Sequence, residues 1–145
     1  MAIIIKRPAS SIDAPTAQFR NHIRSRVSDA YCSMEDYSRF VKFGVDNLAF
    51  ERQTAKAVLD VTLETLSVVN EPKLVQELES ILHRFTFADK RLDAKEKTNA
   101  IQLVCKARMG YGKGLSHEVA EQTILNYCRA NDIKVKTGFL SWSVP

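Results

Sequence analysis

The hydrophobic residues of this chain recur at helical spacing through most of its length. Phe19 and Ile23 lie one turn apart and mark the apolar face of a helix predicted from residue 15 to about residue 30. Asp13 is placed to cap this helix. Pro15 stands in the first turn, where the N–H that proline lacks would have no helical partner in any case. The helical part of the chain is therefore expected to begin near residue 15.

Residues 33–70 carry the longest helical pattern and contain no proline. Ser33 is a suitable N-cap, and a single helix over this segment would be about 54 Å long. The apolar stripe is interrupted where Glu51 and Arg52 occupy the expected apolar turn. We therefore expect a break or kink near residues 47–52, and one continuous helix is the alternative.

Three more helices are predicted in the rest of the helical region. The first follows Asn70 and Pro72, Asp93 can cap the second, and Ser116 can cap the last. A glycine-rich stretch at residues 110–114 separates the last two helices. It lacks the spacing of a phosphate-binding loop and follows a helix instead of a strand, so we interpret it as a connector.

Both ends of the chain change to the alternation that is typical of a β-strand. Residues 2–6 are rich in isoleucine and predict a short strand, and polar and apolar residues alternate over residues 133–144. Thr137 and Gly138 are suited to a tight turn within that tail. Because an isolated two-stranded hairpin is only marginally stable, we expect the two ends to meet in a small sheet on the helical body. The sequence itself shows no internal repeat.

The sequence thus predicts a mainly α fold, a single helical bundle of about five or six helices with a small β element formed by the N- and C-terminal segments. We expect one domain over residues 1–145, made of an N-terminal strand or arm (1–14), a helical bundle (15–131) and a β-like tail (132–145). A chain of 145 residues can build a core without disulfides or a metal. Hydrophobic residues at 45% and charged residues at 26% are ordinary for a globular protein.

The positive charge of the chain is concentrated at its two ends. The formal net charge is +4. Residues 1–32 hold five basic and two acidic side chains and residues 98–145 hold six and three, whereas residues 33–70 hold four and six. A polyanion or an acidic partner would be drawn to the ends. An ordinary solvated surface is the alternative interpretation.

The cysteines predict free thiols in a reducing compartment. Cys32, Cys105 and Cys128 are odd in number and widely spaced, which is not the pattern of a disulfide framework. The apolar run near the N-terminus is too short for a signal peptide, and no stretch approaches the roughly 20 apolar residues of a membrane helix. We therefore expect a cytoplasmic protein with no membrane partner.

The sequence contains no pattern that predicts a metal, cofactor or catalytic site. His22, His83 and His117 form no pair with each other or with a cysteine at the spacing of zinc ligands. The usual combination of nucleophile, base and orienting group is also absent. We expect the protein not to be an enzyme and to carry no catalytic residue, cofactor or metal.

Residues 88–96 have the sequence Ala-Asp-Lys-Arg-Leu-Asp-Ala-Lys-Glu, which resembles the inter-helix loop of the tellurite-resistance TerB-like domains. The resemblance covers this segment alone and implies an all-helical domain of similar length. Lys90 stands where those domains usually carry glycine, so no metal role is carried over from them. A capped helix start accounts for Asp93 and Glu96 without a metal ligand.

Basic side chains near the two ends are the candidates for nucleic-acid binding. Arg20 and Arg24 share one face of the first predicted helix, and Trp142 stands near the basic positions of the tail. Cations and aromatic rings together can pair with phosphates and stack on bases. Glu118 and Glu121 count against a helix-turn-helix arrangement, because they would repel phosphate at the start of the last helix. The candidate nucleic-acid-binding residues are Arg20, Arg24, Arg26, Arg108, Lys113, Lys134 and Lys136.

Three phenylalanines lie off the main apolar stripe of residues 33–70, namely Phe40, Phe43 and Phe50. A helix that is apolar on more than one face is either central in a bundle or in contact with a partner. Together with Trp142, these three side chains are the candidate partner-binding residues. Burial in the core of the chain is the alternative.

The expected function is that of a small, non-enzymatic helical protein that interacts with or regulates a protein partner and also self-associates. This expectation rests on the surplus of apolar side chains over residues 33–70. The alternative is a nucleic-acid-binding regulator that uses the basic first helix and the C-terminal tail.

Overall fold

The computed structural model describes residues 13–27, 29–105, 114–136 and 141–145. Within these ranges the chain forms six α-helices and five short strands, which confirms the mainly α prediction. The helices are α1 (Ala14–Arg26), α2 (Met34–Leu48), α3 (Arg52–Thr65), α4 (Glu71–Thr86), α5 (Ala94–Cys105) and α6 (His117–Ala130). The strands are β1 (Tyr31–Cys32), β2 (Val69–Asn70), β3 (Arg91–Leu92), β4 (Lys134–Lys136) and β5 (Trp142–Ser143).

Local signals in the sequence set the helix ends. The Ser33 hydroxyl accepts a hydrogen bond from the Asp36 N–H (3.1 Å) and caps α2. Ala49 ends that helix in the left-handed region, with φ of 58°, and α3 starts after Glu51. The expected break between residues 47 and 52 is therefore confirmed, and the segment forms two helices. The first helix ends at Arg26, earlier than the sequence predicts.

The strands form two small sheets. In one, β1 pairs in parallel with β2; in the other, β4 pairs in parallel with β3 and antiparallel with β5. The C-terminal segment thus forms a small sheet as expected, and β3 is the partner of β4. The expected strand at residues 2–6 and the turn at Thr137 and Gly138 lie outside the described residues, as do residues 106–113 with Arg108 and Lys113.

The two halves of the chain repeat one arrangement of helix, strand, helix, helix and strand. The first half (residues 14–70) contains α1, β1, α2, α3 and β2, and the second half (residues 71–136) contains α4, β3, α5, α6 and β4. Equivalent hydrogen bonds hold both second strands: the Val69 N–H donates to the Ala30 carbonyl (2.8 Å) and the Lys134 N–H to the Lys90 carbonyl (2.9 Å).

A second set of hydrogen bonds aligns the third helices of the two halves. The Val68 N–H donates to the Leu63 carbonyl and the Ile133 N–H to the Cys128 carbonyl, both at 2.9 Å. This repeat is not visible in the sequence, because equivalent positions carry different residues. Buried Gly44, for example, corresponds to buried Val104.

The buried hydrophobic side chains of the described residues form two clusters, one in each half. The core of the first half is built around Phe19, Leu59 and Leu63, and the core of the second half around Leu78 and Leu82. Burial of such side chains is the main favourable contribution to folding. The two halves are in contact where α2 packs against α4.

Candidate functional site

Buried polar groups join the two halves where β2 ends. Glu71 opens α4 and is 7% exposed. Its carboxylate accepts a hydrogen bond from the Tyr31 hydroxyl and another from the Met34 N–H (3.0 Å) at the start of α2. The Ser116 N–H of the second half in turn donates to the Tyr31 hydroxyl oxygen (3.3 Å). Glu71 therefore connects α4 of the second half with α2 of the first half. Its carboxylate lies at the N-terminal end of α2, where a negative charge is favourable.

A second group of hydrogen-bonded side chains lies within the first half and includes Asn70 of β2. Asp60 Oδ1 accepts from the Tyr37 hydroxyl (2.7 Å) and from the Asn70 side-chain amide (2.9 Å). Asn70 also accepts from the Lys73 N–H and so caps α4. Burial, and then the hydrogen bond to Asp60, raise the pKa of Tyr37 above its ordinary value. We call Tyr37, Asp60 and Asn70 the polar plug.

The cysteine thiols are unsuited to act as nucleophiles at neutral pH. Burial raises the pKa of Cys32 to about 12, and it also raises the pKa values of Cys105 and Cys128. Because the thiolate is the reactive form, such shifts suppress reactivity. All three cysteines are free.

The carboxylates of the segment that resembles the TerB-like loop serve the start of α5. Asp93 accepts from the Glu96 N–H (2.7 Å), and Glu96 accepts from the Asp93 N–H (3.1 Å). This reciprocal pair is a capping box. Lys90 lies in the left-handed region, with φ of 57°, at the position where those domains usually carry glycine. In the described part of the chain, no group of three or more histidine, cysteine or acidic side chains could hold a metal ion.

An open groove of about 690 Å³ lies in the second half, between α6, the start of α5 and β4. We call it the α6 groove. Its floor is apolar, because Ile124 and Cys128 are buried there and Leu125 and Val135 are half-buried. An exposed ion pair between Lys97 and Glu121 (2.9 Å) crosses one side of its rim. The remaining charged rim residues are Asp93, Glu118 and Lys136.

The α6 groove is lined by the residues that correspond to the polar plug of the first half. In the repeat, Leu125 corresponds to Asp60. Val135 corresponds to Asn70, because β4 pairs with β3 as β2 pairs with β1. Lys97 corresponds to Tyr37, since each N–H donates to the carbonyl of its helix cap. In the second half, the apolar side chains of Leu125 and Val135 stand in place of Asp60 and Asn70, and they line an open depression.

One face of the three-stranded sheet gathers cations around the only tryptophan of the chain. Arg91 pairs with Lys134 across β3 and β4, and Lys136 pairs with Trp142 across β4 and β5. Because side chains alternate along a strand, these four point to the same face. The Arg91 guanidinium carbon lies 5.1 Å from the centre of the Trp142 ring. We call these four residues the basic sheet face.

The three candidate phenylalanines pack within the first half. Phe40 is 6% exposed and offers almost no surface to a partner, whereas Phe43 and Phe50 are half-buried. The rings of Phe43 and Phe50 lie 6.4 Å and 5.5 Å from the ring of Phe19 on α1. His22 stacks on Phe43 at 3.6 Å. α1 therefore covers much of the apolar surplus that the sequence shows.

The candidate basic residues are divided between the halves. Arg24 and Arg26 are exposed on α1, and Arg20 is half-buried there. Arg26 Nε donates to His22 Nδ1 (3.3 Å), and burial together with the charge of Arg26 lowers the pKa of His22. Lys134 and Lys136 lie on the basic sheet face of the second half. Arg91 could not be recognised as their neighbour from the sequence, because only the pairing of β3 with β4 brings it beside them.

Comparisons with protein-family models, with curated proteins and with solved structures find no significant match for this chain. The likeness to TerB-like domains therefore rests on residues 88–96 alone. Among the helices of the described ranges, none combines the length and the apolar character that crossing a membrane requires.

Proposed function

We propose that this protein is a non-enzymatic interaction protein whose α6 groove binds a segment of a partner protein. The observation that carries the proposal is the open groove with its apolar floor, at the positions where the first half has the hydrogen-bonded polar plug. Its volume, about 690 Å³, falls within the range of binding pockets in proteins. The proposed role is regulatory, exerted through this contact.

The lining of the groove defines the chemistry of the partner segment. Leu125 and Val135 would contact an apolar side chain, which gains free energy by leaving water. Three rim carboxylates face two lysines, so a negative charge is in excess. We therefore expect an apolar anchor flanked by a lysine or arginine on the partner.

The chemistry of the buried groups supports a non-enzymatic role. The Glu71 and Asp60 carboxylates are each engaged by donors from two different elements, so they act as internal ties. The raised pKa of Cys32, to about 12, disfavours nucleophilic catalysis. The free thiols support an intracellular, reducing location as part of the same proposal.

A peptide-display selection tests the proposal. A random peptide library is selected on the wild-type protein, and the enriched peptides are then measured against Leu125→Asp, which places the first-half residue in the groove. Val61→Asp is the matched control, because Val61 lies on the equivalent helix of the first half and is 51% exposed. We expect peptides with an apolar residue beside a basic one, and a loss of affinity of about tenfold or more in Leu125→Asp alone.

Two results would overturn the proposal. One is a selection that enriches no peptide above background. The other is a set of peptides that bind wild type and Leu125→Asp equally well.

Sedimentation over a concentration range tests self-association separately. A monomer that binds the selected peptides supports a partner of another sequence. A dimer that Leu125→Asp dissociates would instead place a second copy of the chain in the groove and would overturn the proposal of a different partner.

A further inference from the structure

The basic sheet face combines three cations and one aromatic ring on a surface only three strands wide. Arg91, Lys134 and Lys136 are exposed, and Trp142 is half-buried. The opposite face holds the next residues along the strands, Leu92 among them, and Leu92 is 2% exposed. The sheet thus rests on the core of the second half and turns its charged side outward.

The arrangement of these groups suits a flexible polyanion that also carries planar rings. Neighbouring strands are about 4.8 Å apart and alternate residues of one strand about 6.7 Å apart, so the three cations form a compact cluster. Arg91 lies over the Trp142 ring at 5.1 Å, which fixes a cation beside an aromatic surface. The carboxylate of Asp89, two residues before Arg91, accepts a hydrogen bond from the Arg91 N–H (3.0 Å).

We infer that the basic sheet face binds single-stranded nucleic acid. Arg91, Lys134 and Lys136 pair with its phosphates, and a base stacks against the Trp142 and Arg91 pair. Lysine and arginine rows that follow the backbone, with aromatic rings that stack on bases, are the usual means of binding single strands without sequence preference. An acidic peptide would use the same cations but would have no planar base to place against Trp142.

This inference is independent of the proposed partner segment. Lys136 lines both surfaces, but Arg91 and Lys134 do not line the α6 groove. Substitutions at Arg91 and Lys134 therefore test the basic sheet face and leave the groove intact, and Leu125→Asp is expected to leave nucleic-acid binding unchanged.

The single tryptophan makes the contact directly measurable. Titration of the full chain with a short oligothymidylate at low salt is expected to quench the fluorescence of Trp142. For three phosphate contacts, the logarithm of the binding constant should fall with the logarithm of salt concentration with a slope of about −2. Lys134→Ala should make this slope shallower by about 0.7. Lys42→Ala, which removes an exposed lysine from α2 of the first half, is the matched control and should not change it.

A second set of ligands separates nucleic acid from other polyanions. Fluorescence anisotropy of labelled oligothymidylate is compared with that of an abasic oligomer of the same length and of polyglutamate. Since stacking on an aromatic side chain strengthens binding measurably, the abasic oligomer should bind about fivefold more weakly or worse. Trp142→Ala should remove this difference, and Trp142→Phe should keep part of it.

Three outcomes would overturn the inference. The first is the absence of binding at low salt. The second is equal binding of the abasic oligomer and oligothymidylate, which would leave a charge effect alone. The third is a preference for polyglutamate, which would assign the surface to an acidic protein.

Discussion

The two halves of the molecule share their order of helices and strands but differ beneath the second strand of each. In the first half, Asp60 accepts hydrogen bonds from Tyr37 and Asn70. In the second half, the corresponding position is Leu125, which lines an open groove. One arrangement of backbone can therefore either close a polar centre or expose an apolar one, depending on a few side chains.

The chain that follows the second strand explains the difference. After β2, α4 begins immediately at Glu71, whose carboxylate ties α4 to Tyr31 and to the start of α2. After β4, the chain continues toward β5, which pairs back onto β4. Pro145 reaches only the margin of the α6 groove. The Glu71 carboxylate at the end of β2 thus joins the two halves, whereas Lys136 at the end of β4 is exposed.

The largest expected effect is the loss of the tie at Glu71. Glu71→Ala leaves the partly buried Tyr31 hydroxyl and Met34 N–H without the carboxylate that accepts from both, and we expect the free energy of unfolding to fall by about 2–4 kcal/mol. Glu71 follows Asn70 at the end of β2, and Lys136, which is exposed, follows Val135 at the corresponding place in β4. Lys136→Ala should change the free energy of unfolding by less than about 0.5 kcal/mol. Urea denaturation measures both. Similar losses for the two variants would show that the halves are not joined by this carboxylate.

Close packing around Gly44 gives the next largest effect. A Cβ added at Gly44 would lie 3.1 Å from the Phe19 ring, which is itself enclosed in the core. Gly44→Val should therefore lower the free energy of unfolding by about 2 kcal/mol, although valine is the better helix former. Ser38→Val, on the exposed side of the same helix, controls for helix propensity and should change it by less than about 0.5 kcal/mol. A Gly44→Val protein as stable as wild type would contradict the packing described for the first half.

The polar plug itself can be compared with its counterpart. Tyr37→Phe removes the hydrogen bond to Asp60 and should lower the free energy of unfolding by about 1–2 kcal/mol. Lys97→Ala removes an ion pair whose side chains are 42% and 53% exposed, and such a pair contributes about 0.5 kcal/mol or less. Thermal and urea unfolding of the two variants check the order. If Lys97→Ala lowered the free energy of unfolding more than Tyr37→Phe does, the difference described between the two halves would be contradicted.

The free energy of unfolding should depend on pH through Cys32 in the first half. Its counterpart in the second half is Leu92, which does not titrate. Folding raises the pKa of the Cys32 thiol from 9.0 to about 12, so its contribution to stability is complete below pH 9 and is lost as the pH rises toward the folded value. Between pH 9 and pH 10 the wild-type protein should lose about 1 kcal/mol through this group. Urea denaturation of wild type and Cys32→Ala at both values measures the difference. Equal losses in the two proteins would contradict the burial of this thiol.

Local features of the fold could be predicted from the sequence, because they depend on neighbouring residues. Ser33 and Asp93 cap their helices as their positions indicate, and the stripe interrupted at Glu51 and Arg52 marks the end of one helix and the start of the next. The change to strand alternation after Ile133 also corresponds to β4.

Features that depend on distant parts of the chain could not be predicted. The pairing of β3 with β4 joins residues far apart in sequence, so Arg91 was missed as a neighbour of Lys134. The contact of Phe19 on α1 with Phe43 and Phe50 likewise depends on tertiary packing, which is why the sequence favoured exposure of those rings. No sequence motif marks the α6 groove. It is recognised only by comparison with the first half, whose polar plug has no counterpart among the residues at positions 97, 125 and 135.

Amide hydrogen exchange of the full chain, alone and saturated with a peptide selected on the wild-type protein, tests the central claim most directly. The proposed binding in the α6 groove predicts slower exchange within residues 117–136 on peptide binding and unchanged exchange within residues 52–70, the equivalent segment of the first half. Slower exchange confined to residues 52–70, or unchanged exchange in both segments at saturation, would contradict it.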